Sequence, residues 1–194
     1  MDIQWKVNFY RVNTLIPHDI KTLKATKEIS LQKFLIICDQ YQEMPHLVDP
    51  YLANILDKLV SLVKDNLHSP ENIELVHEAF KFMYCLTKMR GYKKIVQHLP
   101  HENVDFEPLL ALLAAQDMKD VFSWQTRYML LIWLSIVCMV PFDLHKFDLT
   151  NTSQEDTILN RFLDVCMVIH LCLTADKRKE INTRILFSAL PVQY

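Results

Sequence analysis

Residues 123–144, SWQTRYMLLIWLSIVCMVPFDL, constrain the fold more than any other stretch. Ser123 reads as an N-cap, because its hydroxyl can accept from a backbone N–H that the first helical turn leaves without a partner. About four helical turns follow, and Arg127 is the one formal charge before Pro141. Between Met129 and Val140 only Ser135 is polar. Pro141 ends the run, since it lacks an N–H and disfavours helical geometry at Val140. A membrane span needs roughly 20 apolar residues, so this stretch predicts no transmembrane segment. A helix that is apolar nearly all round must instead be covered by protein on most sides. It implies a central helix with several others around it.

The rest of the composition fits that requirement. Hydrophobic residues make up 51% of the 194 and charged residues 23%, a balance that folds and argues against general disorder. A single Gly disfavours hairpin-rich β architectures, whose tight turns need positive φ. It also excludes Gly-rich phosphate-cradling loops of the P-loop and Rossmann kinds. A net charge of −2 gives no global attraction to nucleic acid or to anionic membrane. The 5 cysteines, Cys38, Cys85, Cys138, Cys166 and Cys172, all sit in apolar helical patterns and form no C-x-x-C. With an N-terminus, MDIQWKVNFY, that lacks an export signature, they read as reduced, buried thiols of a cytosolic protein.

Taken in order, residues 1–27 are weakly periodic; Ile3, Trp5, Val7 and Phe9 alternate as in a short strand or an extended tail. Residues 28–42 turn helical, with Ile29, Phe34, Ile37, Cys38 and Tyr41 assigned to one face. Asp49-Pro50 reads as an N-cap followed by proline at the first helical position. The helix it opens, residues 50–67, places Leu52, Ile55, Leu56, Leu59, Leu62, Val63 and Leu67 on one side. Asn54, Asp57, Lys58, Ser61, Lys64 and Asp65 fall on the other, which predicts an outer helix. Ser69-Pro70 repeats the capping device, and the helix after it runs to about Arg90. It carries two stripes, one of Ile73, Val76, Phe80, Met83 and Thr87, the other of Leu75, Ala79, Phe82 and Leu86. Two stripes predict an inner helix with two neighbours. Gly91 is expected to end it as a left-handed C′ residue. A short helix at 92–98, another at 104–116, the 123 helix, a polar loop at 146–156 and a helix at about 154–173 complete the pattern. Residues 177–194 are charged, then apolar.

Alternating outer and inner helices joined by short polar turns predict an all-α, HEAT/armadillo-like α-solenoid of antiparallel helix pairs. A compact helical bundle satisfies the same periodicity. The expected organisation is a weakly structured segment at 1–27, a helical-repeat domain at 28–180 and a divergent end at 181–194.

Candidate chemistry is sparse. His98 and His101 form H-x-x-H beside Glu102, but Pro100 keeps a regular helix from presenting both on one face, so surface or capping roles fit better than a metal site. No local signature supports any cysteine as a nucleophile. Lys81, Lys88, Arg90, Lys93 and Lys94 cluster in one helix and its exit, and Lys177, Arg178 and Lys179 form a second group. These are solvated faces or contacts for an acidic protein surface, and the net acidity argues against nucleic acid. Arg127, in an otherwise apolar helix, must reach solvent or pair with an acid, and a structural salt bridge fits better than a functional contact.

At residues 80–144, and in one earlier run, the sequence resembles a known family. The runs DQYQEMPHLVDPYL (39–52), FKFMYCLTKMRGYKKIVQHLPHENVDFEPLL (80–110) and SWQTRYMLLIWLSIVCMVPFDL (123–144) resemble the N-terminal region of tubulin-specific chaperone D, or tubulin-folding cofactor D. The similarity covers about residues 32–177 of the 194. The resemblance implies a helical-repeat solenoid, in agreement with the periodicity. It implies β-tubulin as partner in assembly and disassembly of the tubulin heterodimer, alongside cofactors C and E and an Arf-like small GTPase. It also implies a contribution to stimulating GTP hydrolysis by tubulin without catalytic residues or a cofactor of its own, and a cytoplasmic, microtubule-associated location. Family members are several times longer, so the chain reads as a fragment or short isoform, expected to expose apolar surface at its C-terminal end and to self-associate. The alternative is a generic helical-repeat adaptor without chaperone activity; an enzyme is the third reading. Lys88, Arg90, Lys93 and Lys94 are the expected partner contacts.

Overall fold

The computed structural model describes residues 16, 20–117, 120–139 and 160–167, with side chains from residue 29 onward and at Ile16, Met139 excepted. The alternating residues at 3–9, the loop at 146–156, the basic group at 177–179, Cys172 and the end at 181–194 lie outside them. Pro141, His170 and the start and finish of the 154–173 helix do so too. Every regular element among the described residues is helical. We number the α-helices α1 (Ile20–Gln40), α2 (Asp49–Asn66), α3 (Ile73–Arg90), α4 (Tyr92–Ile95), α5 (Phe106–Ala114), α6 (Trp124–Met139) and α7 (residues 160–167). The chain divides into two compact units, Met1–Leu99 and Pro100–Tyr194.

In the first unit α3 is the inner helix, packed by α1 and α2. Both of its apolar stripes are used: Leu75, Val76, Ala79, Phe80, Phe82, Met83, Cys85 and Leu86 are all buried. The 3-10 turn Pro70–Asn72 and its flanks are all that join α2 to α3. Residues 67–72 reach at most about 20 Å extended, whereas an 18-residue helix is about 27 Å long. Packed helices joined so closely must run antiparallel. The face of α2 buries Leu52, Ile55, Leu56, Leu59, Val60, Leu62 and Val63, each contributing about 1.5–3 kcal/mol relative to exposure. Phe34 of α1 meets Phe82 edge to face, with ring centroids 4.8 Å apart. Thr87, buried in α3, donates its hydroxyl to the Met83 carbonyl at 2.8 Å, so a polar side chain enters the core satisfied.

Three local expectations change. α1 starts at Ile20, earlier than 28, and Ile29 is 57% exposed while Ser30 is buried. Ile29 and Phe34 are five residues apart, about 140° round a helix; Ser30, Phe34 and Cys38, at four-residue steps, form the true buried stripe. Asp49 is not a side-chain cap. The 3-10 turn Pro45–Val48 feeds straight into α2, Val48 occupies the cap position in helical conformation, and Asp49 is the first helical residue. Ser69 is extended at the entry to its 3-10 turn, and its carbonyl rather than its hydroxyl accepts there, from Asn72 N–H at 2.9 Å.

In the second unit α5 packs against α6. The long apolar run forms α6 as expected, burying Met129, Leu130, Ile132, Trp133, Leu134 and Val137. Tyr128, Leu131, Ser135 and Cys138 make a half-buried strip along the remaining side. Trp133 donates its indole N–H to the Pro100 carbonyl at 2.6 Å, which satisfies the one polar atom of the largest buried side chain. Phe162 of α7 lies 5.7 Å from Phe106 of α5, and Arg161 pairs with Glu107 at 2.6 Å. That pair is solvent-exposed and adds little.

Arg127 is held by the loop that precedes its own helix. Its guanidinium donates to the carbonyl oxygens of Asp117 (2.8 Å) and Asp120 (2.6 Å) and to the Ser123 hydroxyl (2.8 Å). Ser123 occupies the cap position, its carbonyl accepting the Arg127 N–H. Asp120 Oδ1 accepts the Phe122 N–H at 2.8 Å. The loop so fastened carries Val121 and Phe122, which are 73% and 84% exposed.

Candidate partner-binding site

The basic cluster is organised by a break in the helix rather than by one helical face. α3 ends when Gly91 N–H reaches the Thr87 carbonyl at 2.8 Å, and Gly91 then adopts φ 88°, ψ 143°. Positive φ is as expected of a terminating glycine, but the ψ value is not that of a left-handed helical cap. It belongs to a region that only glycine visits readily. The chain re-enters helix at once, with Lys94 N–H donating to the Gly91 carbonyl. Lys88 in the last turn of α3 and Lys93 and Lys94 in α4 therefore flank a sharp elbow. Lys88 and Lys93 are exposed and Lys94 is half-buried. Tyr92 lies between them, also exposed.

Arg90 is placed differently from the three lysines. It makes a two-pronged pair with Asp49 at the start of α2, Nε to Oδ1 at 2.5 Å and Nη2 to Oδ2 at 2.8 Å. Two parallel N–H···O bonds are the strong geometry for guanidinium and carboxylate. The bond from Arg90 holds the Asp49 carboxyl below its ordinary range, and the positive charges of Arg90, Lys94 and His46 act in the same direction. So one carboxylate sits among Arg90, Lys94 and His46, while Lys88, Lys93 and Lys94 form no ion pair among the described residues. The pairing was invisible in the local pattern, because Asp49 and Arg90 are 41 residues apart.

Among the described residues no three His, Cys, Asp or Glu side chains come together as metal ligands. Cys38, Cys85 and Cys166 are buried, and burial pushes their thiols up, Cys85 and Cys166 to about 11. Cys138, half-buried, is pushed to about 12 by the same desolvation. Protonated thiols in apolar surroundings are poor nucleophiles. No described helix is long and apolar enough to cross a membrane.

An inner two-faced helix between amphipathic neighbours, with a cationic elbow on its surface, defines a protein of the armadillo/HEAT-like helical-repeat class. The family model for tubulin-specific chaperone D-like armadillo repeats matches residues 38–190. The chain belongs to that family. It is similar to the tubulin-specific chaperone D of Dictyostelium discoideum, at 31% identity over 98 residues, covering 40% of this chain and 7% of that relative. No solved structure matches it significantly.

Proposed function

We propose that the chain is a non-catalytic scaffold of tubulin folding that binds β-tubulin during assembly and disassembly of the heterodimer. The observation that carries this reading is the family match over residues 38–190. The binding surface lies on the helical-repeat span, residues 28–180, and Lys88, Lys93 and Lys94 contact the partner. Arg90, engaged with Asp49, positions the elbow more than it touches tubulin. The wider assembly contains an Arf-like small GTPase and cofactors C and E, and the chain contributes to stimulating tubulin's GTP hydrolysis without supplying a catalytic group. Its place is the cytoplasm, with the microtubule cytoskeleton. The second reading is a helical-repeat adaptor without chaperone activity; the aligned region spans 7% of the curated relative's length.

The test is capture of purified tubulin by the purified chain, with helicity checked by circular dichroism. Retention of β-tubulin by a helical chain supports the scaffold reading. A helical chain that retains none leaves the adaptor reading.

A further inference from the structure

We propose that the Gly91 elbow is a docking site for a carboxylate-rich peptide segment of the protein partner. The inference deepens the partner-contact reading above by naming the chemistry of what docks.

The charges at the elbow do not balance. Lys88, Arg90, Lys93 and Lys94 supply four fixed cations, and Asp49 is the one carboxylate bonded to any of them among the described residues. Asp49 shows what the elbow accepts: a carboxylate seated on a guanidinium through both oxygens, in the positive field of Lys94 and His46. Because that seat is filled from within the chain, Arg90 is neutralised and fixed. The three lysines then stand on either side of the bend with their charges unpaired among the described residues, Lys88 and Lys93 exposed and Lys94 half-buried. The bend cannot straighten into a continuous helix without giving up the φ 88° conformation at Gly91 and the bond that its carbonyl accepts from the Lys94 N–H. Lysines spread over one long helix face would suit the continuous phosphate track of a nucleic acid. A few cations gathered within about one turn on each side of a break suit a short run of acidic side chains. The net charge of −2 removes the global attraction that nucleic-acid binding relies on.

The test uses the full chain and a fluorescent peptide of about ten residues rich in Glu, with a Gln counterpart, followed by anisotropy. Lys93→Glu with Lys94→Glu is the site variant. Lys33→Glu with Lys58→Glu, exposed lysines on α1 and α2, imposes the same change in net charge elsewhere. We expect the Glu peptide to bind about tenfold more tightly than the Gln peptide, and binding to weaken as salt shortens the screening length. The site variant should lose about tenfold and the control pair no more than about twofold, while Lys93→Arg with Lys94→Arg retains binding. Equal loss in both reversal pairs would overturn the proposal, as would a single-stranded oligonucleotide that binds more tightly than the peptide. A wild-type chain that captures tubulin but ignores the Glu peptide would overturn this inference and leave the scaffold reading standing. A chain that binds the peptide at the lysines but not tubulin would do the reverse.

Discussion

Replacing Gly91 separates backbone strain from steric clash. A Cβ built at Gly91 meets no atom within 4 Å, so alanine fits the available space. What alanine does not fit is the backbone, at φ 88° and ψ 143°. Side-chain-bearing residues held in such a region lose about 1–3 kcal/mol. Alanine recovers about 0.4–1 kcal/mol by restricting the unfolded chain, so Gly91→Ala should destabilise by about 1–2 kcal/mol. With a urea dependence of about 2 kcal/mol per molar, the unfolding midpoint, followed by circular dichroism, should fall by roughly 0.5–1 M. Gly91→Asn is the sharper probe. Asparagine tolerates the left-handed helical conformation better than alanine does, but that conformation lies about 100° away in ψ. Asparagine should therefore be no better than alanine. A Gly91→Asn protein as stable as wild type would refute the conformation and put a left-handed helical cap in its place. Gly91→Ala without loss would refute the strain altogether.

Three further outcomes follow from the same packing. Asp49→Asn should lower the melting temperature at neutral pH. The Asp49 carboxyl is held below its ordinary value, so its stabilising contribution is complete above about pH 4 and disappears as pH falls through the lowered value. Wild-type and variant melting curves should therefore converge in acid, and a constant gap would contradict the ion-pair account. Trp133→Phe should destabilise by about 1–3 kcal/mol in urea titrations, since it strips the Pro100 carbonyl of its indole donor at 2.6 Å; an unchanged midpoint would show that the bond carries no net weight. Cys38, Cys85 and Cys166 should resist iodoacetamide at pH 8 in the native protein and react at least about 100-fold faster in urea, as mass spectrometry of labelled peptides would read. Rapid native labelling of Cys85 would contradict its burial.

Local pattern determined the parts of the fold that local physics determines. The apolar face of α2 from Leu52 to Val63, the doubly striped α3 and the nearly all-apolar α6 followed from side-chain spacing alone, because a 3.6-residue period leaves few other ways to bury them. Ile29 was misplaced because one apolar residue next to a helical stripe fits the pattern almost as well as the small polar Ser30 that is really buried. Asp49 before Pro50 has the composition of a cap, yet its carboxylate goes to Arg90, a partner that only the folded α2–α3 pair brings near. The basic cluster was visible as a run of lysines and an arginine. Which of them are turned outward depends on Asp49 and on the backbone at Gly91, and neither is written in the spacing.

The fastening of Arg127 has a consequence for how this chain can vary. Two of the three oxygens that receive its guanidinium are main-chain carbonyls, at Asp117 and Asp120. Every residue type supplies such an oxygen, so these two acceptors survive a change of side chain, whereas the Ser123 hydroxyl and the Asp120 carboxylate that accepts the Phe122 N–H depend on theirs. An added or deleted residue between Asp117 and Ser123 moves at least one acceptor out of reach. The arginine thus acts as a gauge of loop length: two of its three acceptors answer to the count of residues and not to their identity.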